Sequence, residues 1–126
     1  MPKILIVEDD PALQRLTFNT LQLGGYQLEV AQDGKEALEK VVTFQPDLIL
    51  LDIVMPQVNG IEVLVSLKTN PETEKILIVV FTNAYAGKSI ESAKSLGVTD
   101  FWVKSDTEPD ALLQRVADIF KEHGIV

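Results

Sequence analysis

The sequence has no cysteine. Disulfides, thiolate catalysis and zinc fingers are therefore excluded. Positive charge is scarce: 11 Lys and Arg stand against 19 Asp and Glu, for a net charge of −8. Binding a polyanion needs clustered Lys and Arg to displace counterions, so a nucleic-acid surface is not expected. An acidic surface suits a cation or a basic partner patch. No apolar run approaches the ~20 residues that span a bilayer. The first strand-like run begins at Lys3, which leaves no room for a signal peptide. Repeats, low-complexity tracts and linkers are also missing. These absences lead to the expectation of a soluble cytoplasmic protein without membrane contact.

What is present is one domain's worth of chain. The 126 residues are 46% hydrophobic and 24% charged, enough for one sizeable core. Three segments are continuous and apolar: Ile4–Val7, Leu48–Leu51 and Ile76–Phe81. Such runs suit strands buried on both faces of a parallel sheet. Leu28–Ala31 is shorter and carries Glu29, as an edge strand would, and Phe101–Val103 makes a fifth strand. Between them lie helical patterns. Leu13, Leu16, Thr20 and Leu23 form one predicted face, and Ala37, Leu38, Val41 and Val42 a second. Ile61, Leu64 and Leu67 follow, then Ile90, Ala93 and Leu96, then Leu112, Leu113, Val116, Ile119 and Phe120. Gly24-Gly25, Asn70-Pro71, Gly97 and Gly124 punctuate the ends of the first, third, fourth and fifth helices.

Strict alternation of strand and helix predicts an α/β fold: one doubly wound, five-stranded parallel sheet with five helices on both faces. Three doubly buried strands and one evident edge fit the order 2-1-3-4-5. Ligands of such sheets bind at the carboxyl ends of the strands, where the strand order reverses. Polar residues stand at those ends here. The first strand runs into Glu8-Asp9-Asp10, the third into Asp52, the fourth into Thr82 and the fifth into Lys104.

Taken singly, each has an ordinary reading. A lone Asp after a strand is usually a turn residue, and Asp10 before Pro11 reads as a helix cap. A Thr at a strand end commonly bonds locally, and a Lys there is usually solvated. Together they define a chemistry. Three crowded carboxylates repel one another, and a hard divalent cation with oxygen ligands removes the conflict. Lys104 adds a point charge suited to phosphate, and Thr82 a hydroxyl donor. A carboxylate nucleophile, a metal, a Lys and a hydroxyl constitute a site for making an aspartyl-phosphate.

The residues also carry a family resemblance. The chain resembles the receiver domain of bacterial two-component response regulators over residues 3–122. The likeness rests on Ile4–Asp10, on Pro46–Pro56 followed by Gly60, on Phe81-Thr82 and on Gly97–Lys104. It implies a flavodoxin-like fold, with residues 1–126 forming one receiver domain and no output domain. Asp52 would be the phosphoacceptor. Mg2+, or Mn2+ in its place, would be bound by Asp9, Asp52 and the backbone carbonyl of Val54, with Glu8 acting through water. Thr82 and Lys104 would contact the phosphoryl group, and Phe101 would be the switch aromatic. The donor would be a sensor histidine kinase or a histidine phosphotransfer protein. Output would pass to a downstream protein through the face made by the fourth helix, fifth strand and fifth helix. The domain would act as a monomer or a phosphorylation-dependent dimer, and would catalyse only its own phosphoryl uptake and loss.

The chain departs from the family pattern at four positions. Ser105 stands where Pro usually follows the Lys; a non-proline cis bond costs ~2.5–4 kcal/mol, so a trans Lys104–Ser105 bond is expected. Asn83 replaces a very small residue and could crowd phosphoryl access. Val54 and Ala84 are apolar where the family influences dephosphorylation, so a slow loss of the phosphoryl group is expected. Two other function classes fit the same nucleophile or fold. A phosphatase or phosphotransferase of small molecules would need a substrate cap, and the chain has no insertion to build one. A pseudo-receiver would bind partners without phosphorylation. Trp102 should point opposite Phe101 and Val103, into the core or edge. Tyr85 is expected to be exposed, and His123, the only histidine, to be a solvated residue of the last helical turn.

Overall fold

The computed structural model describes residues 1–54, 60–83 and 88–125. The five strands are β1 (Lys3–Val7), β2 (Gln27–Ala31), β3 (Leu48–Leu51), β4 (Leu77–Thr82) and β5 (Asp100–Val103). All neighbours are parallel, in the order β2-β1-β3-β4-β5. The helices among the described residues are α1 (Pro11–Gln22), α2 (Gly34–Phe44), α3 (Gly60–Thr69), α4 (Lys88–Ser95) and α5 (Pro109–Glu122). This is the doubly wound sheet expected from the alternation.

Side-chain alternation along the strands sorts the core into two layers. Leu5, Val7, Ile49 and Leu51 pack with residues of α2, α3 and α4. Ile4, Ile6, Leu48 and Leu50 pack with residues of α1 and α5. Every residue of β3 is no more than 1% exposed, which is why its sequence has no polar position. Gln27 and Glu29 are exposed on β2, as suits an edge. Trp102 is buried in the layer with α1 and α5, whereas Phe101 packs half-buried in the other. The expected opposition of those two rings is therefore observed.

One predicted face is only partly right: Thr20 is buried and Leu13 half-buried as expected, but two of its leucines are not. Leu16 and Leu23 are 53% and 81% exposed, whereas Thr17, Thr20 and Leu21 are the buried residues of α1. The Thr20 hydroxyl donates to the Leu16 carbonyl at 2.8 Å. Its polar group is thus satisfied within the helix, and the rest of the side chain packs as a small apolar group. Val42 on α2 is likewise exposed, and Val63 on α3 is a core residue outside the predicted set. On α5, Leu112, Val116, Ile119 and Phe120 are buried as expected. His123 ends that helix, donating from Nδ1 to the Ile119 carbonyl at 2.9 Å. Among the described residues, no helix is long and apolar enough to cross a membrane.

Candidate functional site

The carboxyl ends of β1, β3, β4 and β5 meet in one cleft lined by Glu8, Asp9, Asp52, Val54, Thr82, Asn83 and Lys104. The sheet fixes the main chain of its two most buried acids. Beyond the last residue of β1, the Glu8 amide donates to Ala31 O at 2.9 Å. Beyond β3, the Asp52 amide donates to Val7 O at 3.1 Å. Asp10 is the cap of α1: its Oδ1 accepts from the amides of Ala12 at 2.9 Å and Leu13 at 3.3 Å. Its own amide donates to Glu8 Oε2 at 3.2 Å. The α1 cap therefore also orients Glu8.

Asp52 is buried, and both its oxygens are engaged. Oδ1 accepts from the Val54 amide at 2.9 Å, and Oδ2 from Lys104 Nζ at 2.8 Å. Lys104 Nζ also donates to Glu8 Oε1 and lies 5.9 Å from the centre of the Phe81 ring. The ammonium thus bridges two carboxylates across the cleft. Burial raises Glu8 above the usual carboxylate range, although Lys104 opposes the shift by hydrogen bond and charge. Burial alone would lower Lys104; the hydrogen bonds and charges of Asp52 and Glu8 outweigh it, so the amine is raised above 10.5 and stays charged at neutral pH.

One ammonium faces three carboxylates, because Asp9 belongs to the same cluster. Carboxylate oxygens of Glu8, Asp9 and Asp52 all lie within 4.8 Å of one another. The donor set is all oxygen and carries surplus negative charge, so it fits a hard divalent cation rather than a soft one. Thr82 is buried at the end of β4 and pairs with Val103 of β5. Val54 is 59% exposed at the cleft rim. Phe101 lies on β5, three residues before Lys104 and outside the cleft lining, with Lys94 Nζ 5.3 Å from its ring centre.

Two features escaped the sequence. After β5 the chain forms a 3-10 turn over Lys104–Asp106, and the Ser105 amide donates to Asn83 Oδ1 at 2.9 Å. Asn83 therefore joins this turn, as well as lining the cleft that it was expected to crowd. The only signal was the presence of a backbone N–H at position 105, where proline would have none. Among the described residues there is no cis peptide bond, so the Lys104–Ser105 bond is trans as expected. The expectations for Ala84 and Tyr85 lie outside the described residues.

The strand order and the position of the cleft define a doubly wound, flavodoxin-like α/β protein with its site at the switch point. The family model of the response regulator receiver domain matches residues 4–117. The chain belongs to that family and is a response regulator receiver domain of two-component signalling. It is 36% identical over 118 residues to the phosphate regulon transcriptional regulatory protein PhoB of Rhizobium meliloti, covering 92% of this chain and 51% of that protein. It is 39% identical over 82 residues to the DNA-binding regulator RpaA of Synechocystis, covering 65% of this chain and 34% of that one. The chain thus spans a third to a half of the length of these relatives. Among solved structures, the chemotaxis protein CheY4 of Vibrio cholerae superposes with a TM-score of 0.85 at 30% identity, covering 94% of this chain and 98% of that one. The phosphorylated cyanobacterial phytochrome response regulator RcpA gives a TM-score of 0.80 at 30% identity, covering 95% and 91%.

Proposed function

We propose that this receiver domain is a phosphoacceptor switch whose chemical group is the Asp52 carboxylate. The observation that carries the reading is the position of that carboxylate. It is buried, held by the Val54 amide and Lys104 Nζ, and beside the acids Glu8 and Asp9. A carboxylate oxygen of Asp52 attacks the phosphorus of a phosphohistidine. The phosphorus–nitrogen bond breaks with its electron pair left on the imidazole, and an acyl phosphate forms on Asp52. Negative charge builds on the transferring oxygens, and Lys104, already at Asp52 Oδ2, is placed to balance it. The Thr82 hydroxyl supplies a further donor. Mg2+, or Mn2+, held by Asp9, Asp52 and the Val54 carbonyl, with Glu8 through water, would supply the remaining positive charge.

The switch is a population shift. The phosphoryl group binds an arrangement of Thr82 and Phe101 that the unmodified domain populates less. That change alters the face of α4, β5 and α5, through which a downstream protein is bound. The phosphodonor is a sensor histidine kinase or a histidine phosphotransfer protein. The chain acts as a switch in this reading, with no turnover of external substrates. The Val54 side chain has no polar atom that could orient an attacking water, so the phosphoryl group is lost slowly. Val54→Gln is expected to speed that loss about tenfold, equivalent to ~1.4 kcal/mol of barrier, measured by intact mass after donor removal. An unchanged decay rate would remove Val54 from the control of lifetime.

The function is tested by incubating the protein with Mg2+ and acetyl phosphate and measuring intact mass. A gain of one phosphoryl group that disappears in Asp52→Asn is expected. No gain would make the domain a pseudo-receiver, and rapid multiple turnover of varied phosphate esters would make it an enzyme.

A further inference from the structure

Lys104 lies at a junction. Behind it, Val103 is paired with Thr82 in the last step of the β4–β5 ladder. Ahead of it, the chain leaves the sheet in the 3-10 turn. One side of that turn is tied to α5: Thr107 Oγ1 donates to Val103 O at 2.8 Å and accepts from Arg115 Nη1 at 3.1 Å. The Thr107 amide closes the turn on Lys104 O at 3.1 Å. The other side is tied to β4 by Asn83 Oδ1, which accepts from the Ser105 amide at 2.9 Å. Asn83 follows directly on Thr82, so its side chain extends the β4–β5 seam past the point where the ladder ends.

We propose that Asn83 is a positioning residue for Lys104: by accepting the Ser105 amide it fixes the 3-10 turn, and so holds the ammonium between Glu8 and Asp52. The residues at 83 and 105 then form one unit, a side-chain acceptor matched to a backbone donor. A long lysine side chain has large rotamer freedom. Its head is fixed only as well as the backbone that carries it, and an exposed turn with one of its ties removed opens more readily.

The inference rests on the phosphoacceptor reading only where uptake is measured. Two further readouts are independent of it: amide hydrogen exchange at Ser105 and the NMR signal of the Lys104 side-chain ammonium. Asn83→Ala removes the acceptor. It is expected to speed Ser105 exchange about fivefold, the equivalent of one ordinary hydrogen bond, and to broaden or shift the Lys104 signal. Asn83→Asp keeps an acceptor oxygen and should retain slow exchange. Phosphoryl uptake from acetyl phosphate should fall about fivefold at saturating donor in Asn83→Ala, by the same bond. Ser105→Pro removes the donor, so Asn83→Ala added to it should cost nothing further.

Wild-type exchange and an unchanged Lys104 signal in Asn83→Ala would overturn the proposal. So would faster uptake with an unchanged Lys104 signal, which would make Asn83 a steric gate. If the wild-type protein takes up no phosphoryl group, the functional reading fails, and exchange and the Lys104 signal still decide the role of Asn83.

Discussion

Lys104→Met should lower the unfolding free energy by about 3 kcal/mol in the absence of divalent cations, and slow phosphoryl uptake about a hundredfold. Both effects follow from the bridge that Lys104 makes between Glu8 and Asp52. The lysine side chain is 10% exposed and the two carboxylates 5% and 9%. Removing one partner of a buried pair leaves the other without compensation, at a cost of roughly 3–5 kcal/mol. The lower end applies here because the cleft opens to solvent and water can reach the orphaned acids. The sign against pH is fixed by the raised lysine. Its pairing is fully present below the ordinary lysine value of 10.5 and is lost as pH rises through the higher folded value. At pH 7.5 the wild type therefore retains the full contribution.

Mg2+ should reverse part of the loss in Lys104→Met. A cation that binds only the folded protein stabilises it in proportion to the logarithm of its concentration over Kd. With the ammonium gone, the cation no longer shares its carboxylates with a competing charge, so its affinity should rise. Urea unfolding with and without Mg2+, together with calorimetric titration, gives both quantities. A Lys104→Met protein as stable as wild type without cation, and no tighter for Mg2+, would show that the bridge contributes nothing.

Gly60→Ala should cost about 3 kcal/mol, at the upper end for overpacking a rigid contact. A Cβ built on Gly60 would stand 2.3 Å from Ile53 Cα, 2.8 Å from Asp52 O and 2.9 Å from Ile53 Cβ. The first two of these are backbone atoms, which cannot swing aside as a flexible side chain can. The Gly60 amide also donates to Ile53 O at 3.3 Å. The start of α3 therefore lies directly against the segment that carries Asp52, and the glycine permits that approach. The substitution should displace Asp52 as well as destabilise the fold, so uptake per folded molecule should fall too. Denaturant unfolding, with uptake normalised to folded protein, separates the two effects. A variant with wild-type stability would show that α3 can shift at no cost.

The fold was legible because period and punctuation agreed. The runs at Ile4–Val7 and Leu48–Leu51 suited strands buried on both faces, and they form the adjacent β1 and β3 at the centre of the sheet. The acids at Glu8, Asp9 and Asp52 were legible for a related reason. Strand ends of a parallel sheet share one edge, so topology alone brings them together. What stayed hidden depended on choices that sequence pattern does not encode. The α1 face was misassigned in part: Leu16 and Leu23 were counted as core but are exposed, whereas Thr17 and Leu21, outside the predicted set, pack inward beside the expected Thr20. The link between Asn83 and Ser105 was hidden because it joins residues 22 apart through a turn that has no apolar period.

The central claim is that Asp52, rather than another acid of the cluster, carries the phosphoryl group. Borohydride reduces an acyl phosphate on aspartate to the alcohol of homoserine and leaves free carboxylates untouched. The protein is therefore phosphorylated with acetyl phosphate and Mg2+, reduced, digested and sequenced by mass spectrometry. Homoserine should appear at position 52 and nowhere else. Homoserine at position 9, or none in a sample whose intact mass shows the added phosphoryl group, would contradict Asp52 as the acceptor.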